Sequence, residues 1–102
     1  MQDAPKSHVD LLLLSVLRDE PKHGYGLVEA VRTRSEGVFD FAEGTVYPAL
    51  YRLERHGLVE SSWESRPRRR RVYRLTRRGA SELRRERAAW ERYVDAMRTA
   101  LA

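Results

Sequence analysis

A mainly α chain with one small β-hairpin is what this sequence predicts: three helices, then the hairpin, then a long terminal helix. Three observations predict it. Apolar residues recur at helical spacing in three early segments. A stretch of two-residue alternation follows, interrupted by Arg66, Pro67, Arg68 and Arg69. From Thr76 onward an apolar stripe persists at three- and four-residue spacing to Leu101.

The elements follow in order. Val9, Leu12, Leu13, Val16 and Leu17 set the first helix over residues 7–19, with Ser7 as its cap and Pro21 preventing its continuation. Leu11 and Leu14 carry its apolar character round the helix, so it is expected to be buried on more than one side. A turn over residues 21–26 holds Gly24 and Gly26. The second helix covers residues 25–34, with Leu27, Val28 and Val31 inward and Gly37 behind its end. Residues 38–41 alternate and are expected to form a short strand.

The third helix is expected over residues 45–56 and ends at Gly57. Val46, Leu50 and Leu53 make its buried stripe, and Pro48 falls in its first turn, where a missing N–H does no harm. Pro48, Tyr51, Arg52 and Arg55 occupy the opposite face. Strands over residues 58–65 and 71–76 form the hairpin, with Val59, Ser61 and Trp63 on one face of the first, and Tyr73 and Leu75 inward on the second. Trp63 is read as core beneath the hairpin. Thr76 caps the last helix, on which Ala80, Leu83, Arg87, Trp90, Val94, Met97 and Leu101 follow an a/d heptad pattern breached only by Arg87. At about 1.5 Å per residue that helix is about 37 Å long. Such a stripe is too long for one small domain and is expected to meet a second subunit. Residues 1–76 are read as the nucleic-acid-binding domain and 77–102 as the dimerisation helix, together forming one compact unit.

Charge supplies the functional signal. The net charge is +5 and the isoelectric point about 10.1, yet residues 66–78 hold eight arginines and no acid. That stretch carries +8, which leaves −3 for the rest of the chain. A mildly acidic body with one intense cationic segment points to a polyanion. Three helices and a charged hairpin describe a winged helix-turn-helix, in which one helix enters the major groove of duplex DNA and the wing follows the backbone or the minor groove. The third helix then supplies Arg52 and Arg55 for base-edge contacts, with Tyr51 beside them. Thr45, Tyr47 and Pro48 set the helix start against the backbone, although Tyr47 lies at the flank of the buried stripe and is read as partly structural. Arg68, Arg69, Arg70 and Arg71 contact phosphate or the minor groove.

Other classes find little support. The chain lacks cysteine, which removes disulfides, thiolate catalysis and cysteine-ligated zinc. His8, His23 and His56 lack metal-ligand spacing, so neither metal nor cofactor is expected. No nucleophile with a base and orienting carboxylate is recognisable, so an enzyme is not expected. The longest apolar run, Leu11 to Leu14, is far short of the roughly 20 residues of a membrane helix. Residues 1–7 lack a signal-peptide pattern, and the expected location is cytoplasmic. The alternatives are an RNA-binding module using the arginine stretch, or a winged-helix protein-interaction module.

Four segments carry a family resemblance: His23-Gly24-Tyr25; Gly44-Thr45-Val46-Tyr47-Pro48-Ala49-Leu50; Arg52-Leu53-Glu54-Arg55-His56-Gly57-Leu58-Val59; and Arg70-Arg71-Val72-Tyr73-Arg74-Leu75-Thr76-Arg77-Arg78-Gly79. In order and spacing over residues 11–83 they resemble the PadR family of transcriptional regulators, in its compact form with a single C-terminal dimerisation helix. The resemblance implies a homodimeric repressor on an inverted-repeat operator, with half-sites about one turn, roughly 34–36 Å, apart. It implies a dimer interface through Leu12, Leu83, Trp90, Val94, Met97 and Leu101. In some compact members a tryptophan on the last helix lines a pore at the dimer centre where flat aromatic compounds stack. Trp90 occupies the matching place, so a planar aromatic or drug-like effector would meet Trp90, Arg87 and Tyr93. Packing of the dimer seam is the other reading of Trp90, and a snorkelling side chain the other reading of Arg87.

Overall fold

The computed structural model describes residues 8–102. Helix α1 (His8–Asp19) leads through β1 (Lys22–His23) into α2 (Gly24–Arg34) and α3 (Glu43–Arg55). Strands β2 (Val59–Glu64) and β3 (Arg70–Leu75) form the wing, and α4 (Arg77–Leu101) closes the chain. The expected cap Ser7 lies outside the described residues.

One apolar core joins every layer. Leu13, Leu14, Val16 and Leu17 of α1 meet Leu27, Val28 and Val31 of α2 and Val46, Ala49, Leu50 and Leu53 of α3. Val59, Tyr73 and Leu83 add β2, β3 and α4. These are the positions that helical periodicity selects, since residues three and four apart share a face. Leu75 packs at the margin of the core, and Val72, on the opposite face of the sheet from Tyr73, is buried as well.

The sheet has three strands in the order β1–β3–β2, all antiparallel. The two-residue β1 places Lys22 opposite Tyr73 and His23 opposite Val72, making β3 the central strand. Two residues are too few to show alternation, which is why the sequence suggested only a turn there. The strand expected over residues 38–41 does not form. Phe39 and Phe41 turn towards the core as alternation suggests, with their rings 5.9 Å apart, but the segment pairs with no strand among the described residues. Instead the Phe39 N–H donates to Ser35 Oγ (2.9 Å), holding the segment as a loop.

Helix α3 starts at Glu43, two residues before the expected Thr45, so Pro48 sits in its second turn. Proline there removes the N–H that would reach the carbonyl of Gly44, an exposed residue at the helix start.

The start of α4 is fixed by a junction with the end of α3. The Thr76 hydroxyl donates to the Gly57 carbonyl (2.7 Å) and accepts from the Gly79 N–H (3.0 Å), while the Thr76 N–H reaches the Leu58 carbonyl (3.2 Å). A Cβ on Gly79 would lie 2.0 Å from the Leu58 oxygen and 2.7 Å from Leu75 Cδ1, so only glycine allows this approach. One consequence corrects the expected dimer seam. Leu83, one turn beyond Gly79, is 2% exposed inside the chain's own core. A stripe at heptad spacing looks the same whether its partner is the same domain or another chain, and here its first turns serve the domain.

Gly79→Ala is expected to destabilise the fold about as much as truncating a core leucine such as Leu50, about 2–5 kcal/mol, because the obstruction is backbone and cannot rotate away. Chemical denaturation checks this. A loss below about 1 kcal/mol would mean that the junction yields easily.

Candidate nucleic-acid interface

Helices α2 and α3, with the loop between them, form the helix-turn-helix, and the wing stands beside α3. Helix α3 buries Val46, Ala49, Leu50 and Leu53. At 100° per residue, Tyr51 and Arg55 then lie opposite that stripe, with Pro48 beside them. Tyr51 is 66% exposed, and the Arg55 guanidinium lies 5.9 Å from its ring centroid. Thr45 is exposed at the helix start.

The two flanks of α3 are occupied differently. Tyr47 leans on the start of α2, where a Cβ on Gly24 would fall 2.5 Å from the Tyr47 ring and hydroxyl. Gly24 thus gives the tyrosine its seat, in keeping with a partly structural role. On the other flank, Arg52 Nη2 donates to Asp10 Oδ1 of α1 at 2.6 Å. Arg52, expected on the outward face, therefore stands at its edge, tied to α1. A cleft of about 380 Å³ opens beneath that pair between α1, the end of α3 and α4.

The wing arginines also divide. Arg68 and Arg69 are exposed at the tip. Arg70 is half-buried, and its Nε has no hydrogen-bond partner among the described residues. Arg71 is committed: its Nε donates to Ser61 Oγ (2.7 Å), Ser61 Oγ donates to Glu54 Oε2 of α3 (2.7 Å), and Arg71 Nη2 lies 3.7 Å from Glu54 Oε1. Arg55, Arg68, Arg69 and Arg70 form no ion pair among the described residues, so no described carboxylate compensates their charge.

Trp63, read from sequence as core, is 54% exposed. Alternation correctly aligned it with Val59, but only Val59 reaches the core; Ser61 is half-buried against Glu54, and by Trp63 the hairpin has passed the body of the domain. Arg69 and Arg71 cover the indole instead, at 4.3 and 5.6 Å from its centroid. Asp10, Glu54 and Ser61 are the functional neighbours that periodicity missed. The available signal for Arg71 was hairpin register, which sets it opposite Trp63, two residues from Ser61.

At the base of the wing, His23 caps α2. Its Nδ1 accepts from the Gly26 N–H at 3.3 Å, which requires that nitrogen to be unprotonated. Burial pushes the imidazole pKa below its ordinary 6.5, and the nearby Arg70 lowers it further.

On α4, Trp90 and Tyr93 stack with centroids 5.7 Å apart, and His8 of α1 meets Trp90 edge-on at 5.4 Å. Both α4 aromatics are half-buried, as is Val94, while Arg87, Met97 and Leu101 are exposed. Leu12 is half-buried on α1. No group of three or more histidine, aspartate or glutamate side chains is placed to hold a metal among the described residues. Nor is any described helix long and apolar enough to cross a membrane.

A family model described as the transcriptional regulator PadR-like family matches residues 13–85. The chain belongs to that family. Its members are transcriptional regulators and not enzymes, and the resemblance read from the four sequence motifs is borne out. A PadR family transcription regulator from Clostridium difficile is 30% identical, with 94% of this chain and all of that one covered and a TM-score of 0.81. A transcriptional regulator from Clostridium thermocellum superposes with a TM-score of 0.85 at 27% identity, covering 90% of this chain and 91% of the other. PadR of Bacillus subtilis, solved in complex with operator DNA, is 21% identical with a TM-score of 0.69, over 78% of this chain and 45% of that one. At that identity the likeness is one of fold. The fold of this chain is thus shared with these solved regulators.

Because His23 caps α2 only when neutral, its contribution to stability is present above about pH 6.5 and is lost as pH falls through its lower folded pKa. Replacing His23 with Asn, which caps without titrating, is expected to flatten the melting temperature of the protein between pH 7 and pH 5 relative to the unmodified chain. Parallel curves for the two proteins would remove His23 from the pH dependence.

Proposed function

We propose that this PadR-like regulator is a sequence-specific, homodimeric DNA-binding repressor, relieved by a small planar aromatic effector. The observation that carries the DNA reading is the shared surface of α3 and the wing. Tyr51 and Arg55 stand at the centre of the exposed face of α3, beside wing arginines that no described carboxylate neutralises. Arginine suits both surfaces, because its planar fork meets guanine edges and phosphates bidentately. That Bacillus subtilis PadR is bound to operator DNA supports the same use here.

Helix α3 lies in the major groove, with Arg55 and Tyr51 at base edges and Arg52 at their margin. Thr45, Tyr47 and Pro48 seat the helix start on the backbone, and Arg68, Arg69 and Arg70 reach phosphate or the minor groove. Arg71 braces the wing against Glu54. Residues 1–76 form the DNA-binding part and 77–102 the dimerising part. The seam comprises Leu12, Trp90, Val94, Met97 and Leu101. Support comes from Met97 and Leu101, which are 42% and 76% exposed in the single chain and gain most from a second subunit. A two-fold dimer faces an inverted repeat. The stacked Trp90 and Tyr93, with Arg87 nearby, offer flat aromatic ligands a platform, and a ligand there relieves repression by favouring a dimer spacing that fits DNA poorly. Such a regulator works in the cytoplasm, where its operator is.

Selection from a random duplex library at about 0.15 M salt, near physiological screening, is expected to enrich an inverted repeat. On that site Arg55→Ala should lose specific binding by about tenfold or more, as one base contact is worth about 1–3 kcal/mol, and lose far less on random duplex. Enrichment of no sequence, or tighter binding to RNA, would contradict the reading. Planar cationic dyes should quench Trp90 fluorescence in a Trp63→Phe background. Equal quenching in the single Trp90→Phe variant, where Trp63 alone reports, or none across a broad panel, would remove the effector site.

A further inference from the structure

The exposed Trp63 is the feature that the reading above leaves unused. Tryptophan is ordinarily highly buried, and an indole projecting from a hairpin beyond the core exposes apolar surface with no gain to the fold. What covers this one is charged. The Arg69 guanidinium lies over the ring at 4.3 Å from its centroid, well within cation–π range, and Arg71 at 5.6 Å. Arg71 is in turn fixed by Ser61 and Glu54. A continuous line of contacts therefore runs from Glu54 on α3, through Ser61 and Arg71, across Trp63, to Arg69 at the wing tip.

We propose that Trp63 is a positioning residue for DNA recognition, an inference that rests on the DNA-binding reading: it holds Arg69 ready for a phosphate at a fixed offset from α3. Stacking engages the face of a guanidinium, whereas hydrogen bonds to phosphate use its edge, so Arg69 keeps its N–H donors while resting on the indole. An arginine on a hairpin tip otherwise samples many rotamers and loses that freedom on binding. Prior stacking removes part of the loss. Because the same indole touches Arg71, the place of Arg69 is referred to the recognition helix and not only to the wing.

The test measures affinity for duplex DNA against salt concentration for Trp63→Ala, Trp63→Phe, Arg69→Ala and the Trp63→Ala/Arg69→Ala pair. Trp63→Ala is expected to weaken binding about fivefold, the cost of ordering one long side chain on binding, with an unchanged slope of log affinity on log salt because every cation remains. Its melting temperature should be unchanged, since Trp63 lies outside the core. Trp63→Phe should recover most of the affinity. The double variant should bind no more weakly than Arg69→Ala alone, because Trp63 acts through Arg69. Additive losses would make Trp63 an independent DNA contact and overturn the proposal, as would unchanged binding by Trp63→Ala. An unmodified protein that binds no duplex DNA would overturn the DNA-binding reading, and this inference with it.

Discussion

The approach of Gly79 to the Leu58 carbonyl governs where the charged surface can be. At that junction the end of α3, the base of the wing and the start of α4 meet within one cluster of hydrogen bonds, in which the Thr76 hydroxyl and N–H donate to the Gly57 and Leu58 carbonyls and the hydroxyl accepts from the Gly79 N–H. With those three ends fixed together, the orientation of the wing relative to α3 and the direction in which α4 leaves the domain follow from a single contact. The Glu54–Ser61–Arg71 network then acts farther out along the same angle, so the hairpin is held at its base by backbone and at its middle by charge.

Magnitudes separate the arginines that shape this surface from those that are available to a ligand. Arg52 and Asp10 are both partly exposed, and an ion pair of that kind is worth about 0–1 kcal/mol. Asp10 therefore orients Arg52 without retaining it against a phosphate. Arg71 is different, because its bonds run through Ser61 to a half-buried Glu54 and it also touches Trp63. Releasing it would loosen the wing as a whole. Arg55 on α3 and Arg68 and Arg69 on the wing are held by no ion pair among the described residues, Arg69 resting only on the Trp63 ring, and they present the charge that a polyanion can claim most easily.

The helices were legible in the sequence because each has an apolar face that the core buries, as Val46, Leu50 and Leu53 do on α3. The hairpin was legible from alternation and its arginine–proline turn. What could not be read was where the core stops. Alternation gave Val59 and Trp63 the same face, yet nothing in the pattern says that the hairpin outruns the domain between them. The heptad stripe of α4 likewise did not say that Leu83 belongs to its own domain. Phe39 and Phe41 alternate without a strand to pair with, and β1 pairs without enough residues to alternate. Side-chain ties across elements, such as Arg52 to Asp10 and Ser61 to Glu54, depend on three-dimensional proximity that periodicity along one chain does not encode.

The measurement that tests the account most directly is a footprint of the protein on duplex DNA carrying its selected site, with guanine-methylation interference for the major groove and hydroxyl-radical cleavage for the backbone and minor groove. Two symmetry-related major-groove contacts about one helical turn apart, each flanked by a protected backbone segment from one wing, are the result expected of α3 and the wing acting as one rigid head in each subunit. A single unsymmetric contact, or backbone protection with no major-groove interference, would contradict it.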